Sequence, residues 1–242
     1  MSWETRDIDG RPAAVFVPDS PRRFGILFLH NAKEQPLSVS ARYTSLLQEH
    51  RLYCVCPYGG ATWWTDRVLP TYDPFRTAEN YLLESVVPFM ESEWQIRTPG
   101  IGLLGISMGG QGALRLAFKH AAQFPVVAAI APAIDYHEFY GHGSVIDQLY
   151  TSKEQCRQDT APMHLPPNDP PRHVYFCSDP DDQHWHRGTD RLHEKMLALG
   201  AAHECDLTTR AGAHTWGYFD AMAERAIAFI SRGLEAESRK LL

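Results

Sequence analysis

The residues best suited to chemistry lie in Gly105-Ile106-Ser107-Met108-Gly109, a G-x-S-x-G pattern between an apolar run and a helical one. A serine on a very sharp strand-to-helix turn has its hydroxyl exposed in strained backbone geometry. Side chains two residues to either side would collide, so glycine is needed there. The helix that begins after the serine aims its free N–H groups and positive dipole end at the same point, which favours an oxyanion. Chance alone yields the pattern about once in twelve chains of this length at ordinary glycine and serine usage. Its placement, more than its letters, therefore marks Ser107 as a candidate nucleophile.

A serine hydroxyl is a weak nucleophile and needs a base, normally a histidine held by a carboxylate. On a strand–turn–helix serine site the chain order is Ser, then Asp or Glu, then His. The chain has 12 histidines, so position must choose among them. His214 lies in Arg210-Ala-Gly-Ala-His-Thr-Trp216, between the last expected strand and the last expected helix. The acid should follow the strand-like run His173–Cys177, where Ser178-Asp179-Pro180-Asp181-Asp182 offers three aspartates. Asp181 is favoured, because three residues past Ser178 is where such a loop turns back toward the histidine. Asp182 is second and Asp179 third, and each also suits a loop start or a helix cap near Gly188.

These residues need a frame. Runs at Trp3–Ile8 and Ala13–Val17 flank Asp9-Gly10, a hairpin signal, and Phe24–Leu29 is a continuous apolar strand. Helical spacing over Ser38–Glu49 leads to a strand at Leu52–Cys56 and an amphipathic helix at Thr77–Glu93. The alternation continues with strand Ile101–Ile106, helix Met108–His120, strand Val126–Ile130 and strand His173–Cys177. Helix Gly188–Leu199, strand His203–Leu207 and helix Trp216–Leu234 complete it. The pattern predicts an α/β fold with about eight strands, mostly parallel, flanked by helices in a single domain over 1–242. Residues 132–172 break the rhythm with six prolines. So long an excursion is expected to be a lid or pocket-wall insertion.

Composition narrows the function classes. The 242 residues carry a net charge of −6, which argues against a nucleic-acid footprint. The longest apolar run, Val126 to Ala131, is far short of the roughly 18 residues of a membrane span. The polar start gives an expectation of no secretory leader and a cytoplasmic location. Five cysteines without a C-x-x-C pair suggest thiols rather than a disulfide scaffold or zinc ribbon. His184-Trp185-His186 beside Asp181 and Asp182 lacks a third and fourth ligand pattern, so no metal is expected.

Ile101–Leu116, the Cys177–Asp181 loop and Gly212–Trp216 together resemble the α/β-hydrolase fold, and within it the esterase D-type esterases, relatives of S-formylglutathione hydrolases and mycolyltransferases. The resemblance runs from about residue 10 to 234. It implies Ser107 as nucleophile, His214 as base and Asp181 as orienting acid, with no cofactor. Many such hydrolases carry His-Gly after the first long strand; here the chain reads His30-Asn31-Ala32. Asn31 tolerates left-handed backbone angles. The expected oxyanion donors are the N–H of Met108 and one from Asn31 or Ala32. Trp63 and Trp64 follow a strand, at the sheet edge where α/β proteins bind ligands, and are expected pocket walls with Trp216. Tyr136, Phe139 and Tyr140 are further candidates for that space. The expected reaction is hydrolysis of a small-molecule ester or thioester through an acyl-serine. An acyltransferase with the same triad, or a non-catalytic binding protein on the same fold, would share these features. A homodimer is expected only by analogy.

Overall fold

The computed structural model describes residues 2–240. The chain opens with a hairpin, β1 (Ser2–Ile8) and β2 (Arg11–Val17), turned at Asp9 and Gly10 with φ of 56° and 79°. Positive φ at both positions is the type I′ turn, whose twist matches that of the flanking strands. Six further strands follow: β3 (Gly25–Leu29), β4 (Tyr53–Pro57), β5 (Ile101–Ile106), β6 (Val126–Ile130), β7 (His173–Cys177) and β8 (Glu204–Asp206). They form one sheet in the order β1-β2-β4-β3-β5-β6-β7-β8. The β1–β2 and β2–β4 pairs are antiparallel, and every other pair is parallel.

The helices are α1 (Ala41–His50), α2 (Ala78–Tyr81), α3 (Val87–Trp94), α4 (Met108–Lys119), α5 (Ile146–Leu149), α6 (Lys153–Gln158), α7 (His186–Ala198) and α8 (Trp216–Arg239). A π-helical turn, Leu82–Val86, joins α2 to α3. The helix expected from Ser38 begins at Ala41, because Ser40 caps it by accepting the Tyr43 N–H. The last helix continues past Leu234, since buried Glu237 ties the extra turn to Arg172 and His173.

Apolar side chains alternate between the two faces of the central strands, as strand geometry demands. Leu27, Leu29, Leu103, Val127 and Phe176 pack with residues of the Ala78–Trp94 segment, α4 and α7. Ile26, Phe28, Leu104, Ile106 and Ala128 pack with α1 and α8 on the opposite face. Burial on both sides explains why these strands read as unbroken apolar runs. Each fully buried aliphatic side chain contributes roughly 1.5–3 kcal/mol relative to exposure.

Residues 132–172 fold into short helical turns, including α5, α6, Tyr136–Phe139 and Ala161–His164. They hang on α4, the helix that starts after Ser107. Buried Arg115 donates to the Asp159 carboxylate at 2.8 Å from Nε and pairs with Glu79, while the Gln111 side chain accepts the Ala161 N–H at 2.7 Å. Among the described residues no helix is long and apolar enough to cross a membrane. All five cysteines are free thiols.

Candidate active site

Ser107 sits between β5 and α4 with φ 58° and ψ −118°, a left-handed conformation that costs a serine about 1–3 kcal/mol. Three backbone bonds hold it there. Its N–H donates to Ile130 at 3.0 Å, and its carbonyl accepts from Gln111 at 3.1 Å and Ala133 at 3.0 Å. The flanking glycines have a measurable reason. A Cβ on Gly105 would lie 2.0 Å from the Gly109 carbonyl oxygen, and one on Gly109 would lie 1.9 Å from that of Leu29. Only glycine lets the helix start this close to β3 and β5.

His214 reaches the serine from the loop before α8. Its Nε2 is 2.8 Å from Ser107 Oγ, and its Nδ1 is 2.7 Å from Asp182 Oδ2. A carboxylate can only accept, so Nδ1 carries the proton and Nε2 presents its lone pair to the serine hydroxyl. Phe219 packs edge-on to the imidazole at 5.4 Å and limits its rotation.

The acid facing His214 is Asp182, not Asp181. Asp181 is exposed and pairs with Arg210 instead. The displacement arises from Asp179, whose buried carboxylate accepts the N–H groups of Asp181, Ala211 and Ala213, each at 2.8 Å. That carboxylate fixes the histidine loop, and the turn it makes places residue 182 on the inside. Asp182 is 2% exposed, and its second oxygen accepts the N–H groups of His184 and Trp185. Burial by itself would raise the Asp179 carboxyl, but the backbone N–H groups of Ala211, Asp181 and Ala213, helped by Arg210, outweigh it and hold it below its ordinary value.

The loop after β3 lies across the site. His30 is buried, and the Gly59 N–H donates to its Nε2 at 2.8 Å. Its Nδ1 therefore carries the proton and donates to the Asn31 carbonyl at 2.7 Å. The Glu34 N–H donates to the same carbonyl at 3.0 Å. In a trans peptide the N–H points opposite to the carbonyl, so the Ala32 N–H faces away from His30. The left-handed residue of this loop is Glu34, with φ 52°, rather than Asn31. Asn31 serves through its side chain, which accepts from Lys33 N–H and donates to Gln35, while Gln35 accepts from the Trp216 indole.

A cavity of about 510 Å³ opens over Ser107. Asn31, Ala32 and Met108 border it, and Trp63, Phe139, Trp185, Trp216 and Phe219 make its walls. Trp63 stacks on Tyr136 of the insertion with ring centres 4.7 Å apart. Trp64 is not a wall. It is 1% exposed, donates its indole N–H to the His30 carbonyl, and packs where a Cβ on Gly112 would meet it at 2.5 Å. It therefore wedges α4 against the His30 loop. Tyr140 bonds to the Thr151 carbonyl instead. The walls Trp185 and Phe219 carried no signal of their own in the sequence, since each depends on where a loop or helix start is set.

The profile of the family described as "Putative esterase" matches residues 10–228. Among solved structures, an S-formylglutathione hydrolase from Agrobacterium tumefaciens is similar, with TM-score 0.75, 15% identity, and 97% of this chain and 100% of that chain covered. FphF, a fluorophosphonate-binding serine hydrolase of Staphylococcus aureus, gives 0.75 at 14% identity over 91% of this chain and 92% of its own. A ferulic acid esterase from Anaeromyces mucronatus in complex with ferulic acid gives 0.66 at 21% over 93% and 86%. No curated protein matches the chain.

Proposed function

Because the chain belongs to this esterase family, on an α/β-hydrolase fold and of carboxylesterase type, we propose that Ser107, His214 and Asp182 hydrolyse a small carboxylic ester or thioester through an acyl-serine. The observation that carries the reading is the continuous chain Ser107 Oγ–His214–Asp182, with 2.8 and 2.7 Å steps, starting on a left-handed serine. Ser107 Oγ attacks the carbonyl carbon while its proton passes to His214 Nε2. The oxyanion is held by the N–H groups of Met108 and Ala32. Its collapse expels the alcohol or thiol, which takes the proton from His214. Water then repeats the sequence, releasing the acid and restoring Ser107. Asp182 stabilises the imidazolium and keeps the tautomer.

The His214 side chain is 29% exposed, so solvent reaches the base that must activate the attacking water. Five aromatic walls around about 510 Å³ suit a compact apolar or flat acyl group. The test is a panel of short-chain acyl, aromatic acyl and thioester substrates, including hydroxycinnamoyl esters and S-formylglutathione. Hydrolysis of at least one, falling by about 10⁶-fold with Ser107→Ala, is expected. A folded protein with no turnover across the panel, or a variant as active as the parent, would overturn the reading.

A further inference from the structure

A second cluster of reactive side chains lies apart from the triad. His203 immediately precedes β8 and Cys205 lies within it, and the two side chains meet on one side of the sheet. That side is covered by α7, which brings in His193. His193 Nδ1 is 2.8 Å from His203 Nε2 and 3.3 Å from Cys205 Sγ, and the three ligand atoms all lie within 4.8 Å of one another. None of the three borders the cavity over Ser107.

We propose that His193, His203 and Cys205 bind one zinc-class transition-metal ion. Two imidazole nitrogens and a thiolate are the donor set such ions prefer. In tetrahedral coordination with usual bond lengths, the nitrogens stand about 3.3 Å apart and each lies about 3.6 Å from the sulfur. The cluster thus needs shifts of only a few tenths of an ångström up to about 1 Å to close around an ion.

The support behind the ligands is already in place. His203 Nδ1 is 2.8 Å from the Ala201 carbonyl, which can only accept, so the proton sits on Nδ1 and Nε2 offers its lone pair to the cluster. A backbone carbonyl on the far nitrogen is the usual device for orienting a metal-binding histidine. Phe176 stacks on the same ring, with centres 5.4 Å apart and planes 9° from parallel. All three ligands are only half-buried, leaving a fourth position to water. On binding, Cys205 gives its thiol proton to solvent, and the His193 ring shifts its proton from Nδ1 to Nε2. The bound ion ties α7, which follows Asp182, to β8, which precedes the His214 loop.

The test uses the full chain, stripped with a chelator and titrated with Co²⁺ as a spectroscopic stand-in for Zn²⁺. About one equivalent should bind with a thiolate-to-cobalt charge-transfer band in the near ultraviolet. Cys205→Ser should abolish the band, and His193→Ala should weaken binding at least tenfold. Both should keep the circular dichroism of the parent. Absence of the band in the parent, or an unchanged band and affinity in Cys205→Ser, would overturn the proposal. The second result would place the ion on another cysteine thiolate.

Discussion

Asp181 and Asp182 are neighbours in the chain, yet one faces solvent and Arg210 while the other faces His214. Asp182→Asn should lower kcat about 10⁴-fold, because an amide no longer holds the imidazole in its productive tautomer. Asp181→Asn should stay within about twofold of the parent, as an exposed ion pair contributes little. Steady-state kinetics on one activated ester checks both. The sequence restricted the acid to this cluster but not to one position. The choice is made by the Asp179 carboxylate gathering three backbone N–H groups, a long-range arrangement that residue types do not announce. His30 offers a second test. Its bond to the Asn31 carbonyl turns the next peptide so that the Ala32 N–H faces away from it. His30→Gln should lower kcat by about 10²-fold with little change in KM, the signature of a lost oxyanion donor rather than lost binding.

The elements were legible wherever burial dictates pattern. The doubly buried strands β3, β5, β6 and β7 announce themselves as apolar runs, and the glycine spacing marks the elbow between β5 and α4. The placement of the insertion was not legible, because buried polar contacts to α4 fix it alongside its apolar side chains. Arg115, 2% exposed, bridges Glu79 of α2 and Asp159 of the insertion, and Lys119 and His120 also contact Glu79. Burial would raise the Glu79 carboxyl, but His120, Arg115 and Lys119 together pull it down to about 2. Arg115→Met removes the cation that two buried carboxylates share, leaving Glu79 to Lys119 and His120 and Asp159 to His164 and Tyr150, and should cost about 3 kcal/mol. In a chain of this size that is a fall in melting midpoint of roughly 10 °C, readable by calorimetry.

At the scale of the whole molecule, stability should follow the carboxylates the fold holds ionised. Glu79 and Glu237 lie near 2 against an ordinary value of 4.5, and Asp179 is also held low. Arg172, joined by Lys240 and His173, lowers Glu237 against its burial. For such groups the unfolded chain binds protons first as the pH drops. Their contribution is complete above about pH 4.5 and is lost progressively toward about pH 2. Melting midpoints across that range should decline steeply, and Glu79→Gln should start lower and decline less.

Covalent labelling asks without intermediaries whether Ser107 is an activated nucleophile. The full chain is treated with a fluorophosphonate, and the adduct is located by peptide mass spectrometry. One adduct is expected, on Ser107, formed much more slowly in Asp182→Asn and at the parental rate in Asp181→Asn. A folded chain that takes no label, or takes it on another residue, would mean that Ser107 is not the nucleophile.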